Sequence, residues 1–495
     1  MTQSIDESFE QAHTPIWRRK RWWFAGVVAI AGFVLALYVV SGWNETARQI
    51  RAIRARGEPT NWSELADYYT SPPADQDATR LWLGAFDSLN LAAGTPLARQ
   101  LPFLGNGGEP PPVGQPWIEI ALARQFLQNH AAAMAQLHEA AALGGQARYP
   151  VDFSTGITAL INHVQYARNA ARCLALEAHV RAHSGDLHGA AESIRTGLLL
   201  SESLKNEPLH ISQLVRIAIH GMIIEQLKRI DPATFPADDL KRLQETLAEI
   251  DFGDAIKRAA IGERVLGLTT FDDPKSAGLA PQVAYLLWIN RGVDEAAYLT
   301  AMTDFIAVAD LPWNECVDQS IVWSNTLKAR SSRWTILTNM LTPALAQMTM
   351  AFARGETVNR LATIDMAIAR YRAEHGQPPQ DLAALVPAFL ETIQVDPTTD
   401  SPFTYQVTSD GYLLYSSAKT LFGNATGQPV DPDAGVPAYL VFRWPPLPDE
   451  PKESKATEEG DPATMEERVD EAPVDGAADI TTQPPAEQRS SKGEP

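Results

Sequence analysis

Two histidines four residues apart, His179 and His183, stand in the stretch "ARCLALEAHVRAHSGDLHGAAESIRTGLLLSESL". On a helix this spacing puts two imidazoles on one face, where they can share a metal ion such as zinc. Asp186 and His188 follow closely as further ligand candidates, and six of the ten histidines fall between His163 and His220. The set is not the HExxH of zinc hydrolases, because positions 180 to 182 are Val, Arg and Ala. The competing expectation is two polar residues near the exposed end of a helical hairpin. Glu202 with Glu207, and Asp238 with Asp239, would do acid–base chemistry only if a cleft held them at fixed separation. Their surroundings predict polar helix faces and loops. The sequence contains no Walker loop, no GxGxxG after a strand and no GxSxG elbow. The expectation is a protein without enzymatic activity, resident cofactor or small-molecule substrate. The alternative is an envelope metal-dependent hydrolase using the histidine-rich helices.

The elements that carry these residues read as helices from about residue 44 to 350. In the quoted stretch, Leu174, Ala178, Val180 and Ala182 form one apolar face, and Leu187, Ala190, Ala191, Ile194 and Leu198 form the next. Gly185 suits the left-handed stop between them, and Asp186 can cap the second helix. The wording resembles a single tetratricopeptide-type hairpin, but no 34-residue repeat follows, so an irregular antiparallel stack of helices is expected. The stretch "LPFLGNGGEPPPVGQP", Leu101 to Pro116, reads as a loop.

Before this stack, Trp22 to Gly42 carries no charge and is long enough for one helical crossing of a bilayer. Trp22, Trp23, Tyr38 and Trp43 mark its two interfaces, and Arg18, Arg19, Lys20 and Arg21 precede it. An uncleaved signal anchor over 22–43 is expected, with 1–21 cytoplasmic and the bulk of the chain extracytoplasmic. Arg48, Arg51, Arg54 and Arg56 nearly balance the charge on the far side, but large domains translocate regardless of loop charge. The formal net charge of −19 argues against nucleic acid as a partner. Residues 445–495 hold fourteen acidic and five basic residues, roughly half of that total, and read as a disordered acidic tail. Cys173 and Cys316 make no disulfide framework, and two buried free thiols are expected.

From Gly355 onward the pattern changes. Val358, Leu361, Ile364, Ile368 and Tyr371 form a helical stripe, stopped by Gly376 and Pro378-Pro379. "QDLAALVPAFL" reads as a short second helix and "VDPTTDSP" as a turn. Phe403, Tyr405 and Val407 alternate with polar residues, "SDG" turns the chain, and "YLLYSS" and "AYLVFRW" follow as strands. The phrases "YRAEHGQPPQDLAALV", "VDPTTDSPFTY" and "DGYLLYS" resemble the globular head of the major pseudopilin of bacterial type II secretion. The resemblance covers 356–444 and implies a small α+β head, calcium held in the loop after the "LYS" strand, and a place at the bacterial cytoplasmic (inner) membrane. The chain departs from the family in two respects. Its apolar segment is remote from the head and lacks the processing motif and acidic residue of a pseudopilin, which argues against polymerisation. In the calcium loop, Lys419 replaces an acidic environment, leaving Asp431 and Asp433 as candidate oxygen ligands.

The expected organisation is thus mainly α: segment 1–21, anchor 22–43, helical domain 44–355, pseudopilin-like α+β domain 356–444 and tail 445–495. The expected role is a membrane-anchored scaffold with protein partners. An accessory secretion component touching pseudopilins through the head is the nearest rival.

Overall fold

Alanine- and leucine-rich sequence becomes helix over most of the chain. The structure is a computed structural model that describes residues 16–274, 281–332, 334–343, 345–418, 430–431 and 433–446, with backbone only for 16–22 and 281–289. The acidic tail and Lys419 lie outside the described residues.

The apolar segment and the arginine-rich stretch after it form one continuous helix, α1 (Ile16–Ala55). It is long and apolar enough to cross a membrane. Its two halves have opposite fates. Trp23, Phe24, Val27, Ile30, Phe33 and Leu37 are exposed, whereas Thr46 and Ile53 are buried in the body. Gly57, with φ of +76°, follows the helix end.

Then come α2 (Trp62–Tyr68), α3 (Thr79–Ala93), α4 (Ile120–Asn129), α5 (Ala131–Ala142), α6 (Asn162–His183), α7 (Leu187–Glu202) and α8 (His210–Arg229). The central helix α6 packs against α3, α4, α7 and α8. Its turn into α7 follows the sequence expectation: Gly185 has φ of +79°, and the Asp186 side chain accepts a 2.9 Å hydrogen bond from the Gly189 N–H. A Cβ at Gly185 would meet no atom within 4 Å, so its substitution isolates backbone strain. Gly185→Ala is expected to cost about 1 kcal/mol. A chemical-denaturation midpoint equal to the parent's would sink that expectation.

The body continues through α9 (Ala237–Ala248), α10 (Gly253–Asp272), α11 (Pro281–Ala309), α12 (Trp313–Arg330), α13 (Ile336–Leu341) and α14 (Leu345–His375). The expected boundary at 355/356 falls inside α14. Gly355 does not break the helix, because there it faces Ile217 and Phe252 across a close helix contact. The stop at Gly376, with φ of +76°, is where the sequence places it.

After α14 the expected second helix is only a 3₁₀ turn, Leu382–Leu385, capped by Asp381. Pro379 and Pro387 leave too few residues for an α-helix, since proline disfavours helical geometry just before it. Two short strands, β1 (Val395–Asp396) and β2 (Ser401–Pro402), pair antiparallel. The meander β3 (Thr404–Val407), β4 (Tyr412–Tyr415) and β5 (Val441–Trp444) follows in that spatial order. Tyr405 pairs with Leu414, and Leu414 with Phe442. Val407 is exposed, against the expected alternation, because β3 is an edge strand whose end leaves the core.

The meander lies on the helical body. Tyr412 Oη donates to Asp365 Oδ1 at 2.7 Å, and Trp444 Nε1 donates to Asp231 Oδ2 at 3.0 Å. Arg372 donates to both Asp231 oxygens and stacks 3.8 Å over the Trp444 ring. One hydrophobic core runs from Ile53 to Phe442.

Candidate functional site

The two histidines with metal-ligand spacing sit at the C-terminal end of α6, and the loop after Leu101 folds over them. Phe103 stacks on His179 with centroids 5.7 Å apart, and Trp117 lies against His183 at 5.2 Å. His179 Nε2 is 2.9 Å from Gln226 Oε1, and His183 Nδ1 donates to the His179 carbonyl at 2.9 Å. Burial lowers His179 to about 4, because desolvation penalises the imidazolium. Their remaining nitrogens, His179 Nδ1 and His183 Nε2, are buried without a hydrogen-bond partner among the described residues. The further ligands suggested by the sequence go elsewhere: Asp186 caps α7, and His188 Nδ1 meets Asp239 Oδ2 at 2.9 Å. Among the described residues no three His, Cys, Asp or Glu side chains gather as a metal site.

Other histidines join carboxylates inside the body. His163 Nε2 donates to Glu207 Oε2 at 2.8 Å, and Ser212 Oγ donates to Oε1 at 2.6 Å. Tyr149 stacks on His163 at 4.6 Å and shares a 2.8 Å hydrogen bond with Ser203. In a second network, Glu177 accepts from His138, Ser193 and Arg181. The partner of Glu202 is the fully buried Arg216, at 2.7 Å.

Glu207 and Asp239, expected on polar faces and loops, are therefore buried. Each has a cationic or hydrogen-bonding partner that makes burial tolerable. Sequence reasoning missed these networks because their members lie far apart; His163 and Glu207 are separated by 44 positions. The available signal was the concentration of histidines between His163 and His220 on these helices.

Asp431 and Asp433 come together around Arg443, at 3.0 and 2.8 Å. Asp431 Oδ1 also accepts from the backbone N–H groups of Asp433 and Ala434. Described oxygens of the expected calcium loop thus face a guanidinium and backbone donors. Cys173 and Cys316 are buried free thiols, and burial pushes them up to about 12 and about 11.

A cavity of about 200 Å³ lies between α11, α12 and α13, lined by Thr300, Asp304, Trp323, Arg330, Thr338 and Asn339 among others. It adjoins α1, since Gln49 Nε2 donates to Thr300 Oγ1 at 3.0 Å. No histidine lines it.

Fold and sites together define a mainly helical body with an apolar N-terminal helix and a small strand meander, with several of its buried acids paired in internal networks. Comparison with known proteins finds no family model, no curated protein and no solved structure that matches this chain.

Proposed function

We propose that the chain is a membrane-anchored, non-enzymatic scaffold of the bacterial envelope, with its helical body on the extracytoplasmic side. The observation that carries this reading is the division of α1. Its first half exposes an apolar surface, and its second half is built into the body's core. Such a helix is costly in water and suited to lipid. The non-enzymatic part is supported by the histidine–carboxylate networks, which lie within the packing of α5 to α9 and not around the cavity. The helix-then-meander order of α14 and β3 to β5 supports a pilin-type head, here with its helix α14 packed on α8 and α9.

Alkaline carbonate should leave the full chain in the membrane pellet, and Val34→Glu with Leu37→Glu should release it, since a charge at the bilayer centre costs about 3 kcal/mol or more. Extraction of the parent chain would overturn the anchor. Protease added outside the cytoplasmic membrane should digest the body; its survival would overturn the orientation.

A further inference from the structure

Helices α1 and α11 run side by side in the same direction. Thr46 Oγ1 donates to the Gly292 carbonyl at 3.0 Å, and three residues later Gln49 Nε2 reaches the Ala296 carbonyl and Thr300. Two glycines permit the close approach. A Cβ on Gly42 would lie 2.6 Å from the Val293 nitrogen, and one on Gly292 would lie 2.8 Å from the Trp43 nitrogen. Small residues at a close helix crossing are the usual way that helices associate in lipid.

Around this crossing stand the groups expected at a bilayer surface. Arg291 lies 5.4 Å over the Trp43 ring and also pairs with Asp272, where α10 ends. The exposed Trp334 is held at the same level through a bond from Asn290 to its carbonyl. Yet α11 begins at Pro281, eleven residues before Gly292. At 1.5 Å per residue it extends roughly 16 Å back along α1, about half of a ~30 Å hydrocarbon core. The sequence agrees: no charged residue occurs between Lys275 and Arg291, and "VAYLLWI" fills 283–289. Such a run is too short to cross and is of the length of re-entrant segments.

We infer that the first three turns of α11 enter the bilayer beside α1, so that the body is held by a full crossing and a half-depth helix. This rests on the proposed crossing by α1. Two membrane elements in contact at Gly42 and Gly292 fix the body's orientation on the bilayer, which one helix alone would leave free to pivot.

The test uses the full chain in phosphatidylcholine liposomes, with the fluorophore NBD on L286C or L287C and quenching by lipids carrying a doxyl group on the acyl chain. Controls are V34C in α1 and I118C at an exposed loop position of the body; unmodified chain, whose two cysteines are buried, serves as the blank. Quenching at 286 or 287 is expected to be at least about threefold that at 118 and to approach that at 34. Strong quenching at 34 with 286 and 287 no better quenched than 118 would overturn this inference alone. No quenching at 34 either would overturn the crossing and the inference together. Circular dichroism matching the parent shows that each variant is folded, and the adjacent positions cover two sides of the helix.

Discussion

Glu207→Ala is expected to lower the stability of the folded chain by about 3–5 kcal/mol, because removing one member of a buried pair leaves its partners desolvated and unpaired. Glu207 is fully buried between α7 and α8 and accepts from His163 Nε2 and Ser212 Oγ. Both donors belong to other segments, on α6 and α8, so its loss opens a hole where three elements meet. Glu207→Gln keeps an acceptor oxygen and should cost less, about 1–2 kcal/mol. Glu245→Ala, on the exposed side of α9, should leave the midpoint in place. The measurement is guanidinium denaturation of the detergent-solubilised chain followed by tryptophan fluorescence. If Glu207→Ala moves the midpoint no further than Glu245→Ala, the buried network is not a structural tie.

The second large effect is a pH dependence centred on Asp365. This carboxyl is buried between α14 and β4, and burial raises it to about 6, although Tyr412 and Arg372 favour its charged form. In the unfolded chain it titrates near the ordinary aspartate value of about 3.9. Between about pH 4 and pH 6 the unfolded chain has therefore released a proton that the folded chain still holds. Stability falls as pH rises through that window and the loss is complete above it, amounting to roughly 3 kcal/mol.

Asp365→Asn stays neutral and can still accept from Tyr412. The variant should match the parent near pH 4 and exceed its stability above pH 6. Glu263, Asp294, Glu295 and Glu356 are also raised by burial and add to this slope, whereas His179, His210 and His220, lowered by burial, and Glu58 and Glu177, lowered by their partners, oppose it. Only the difference between variant and parent reports Asp365, and parallel stability–pH curves would remove it from the account.

Both effects depend on pairings that adjacent residues do not reveal. Local signals performed well where the cause is local. The αL stop at Gly185, the cap by Asp186, the stop at Gly376 and the turn between β3 and β4 each depend on residues within a few positions. The two departures have different causes, one tertiary and one local. Gly355 was a plausible break, but α14 passes through it because Ile217 and Phe252 on other segments require a small residue there. The expected helix after Asp381 gave way to a 3₁₀ turn because two prolines bracket it.

The sequence by itself determined the apolar helix near the N-terminus, the helical character of the middle and the strand order of the C-terminal module. Each is written in a periodicity or a charge-free run that needs no partner to be read. Tertiary structure alone decided that α1 serves two surroundings, that the module shares the body's core, and that the acids and histidines are internal ties. The reason is separation along the chain. His163 finds Glu207 44 positions away, Asp365 finds Tyr412 at 47 and Asp231 finds Arg372 at 141, and packing of the helices selects those partners.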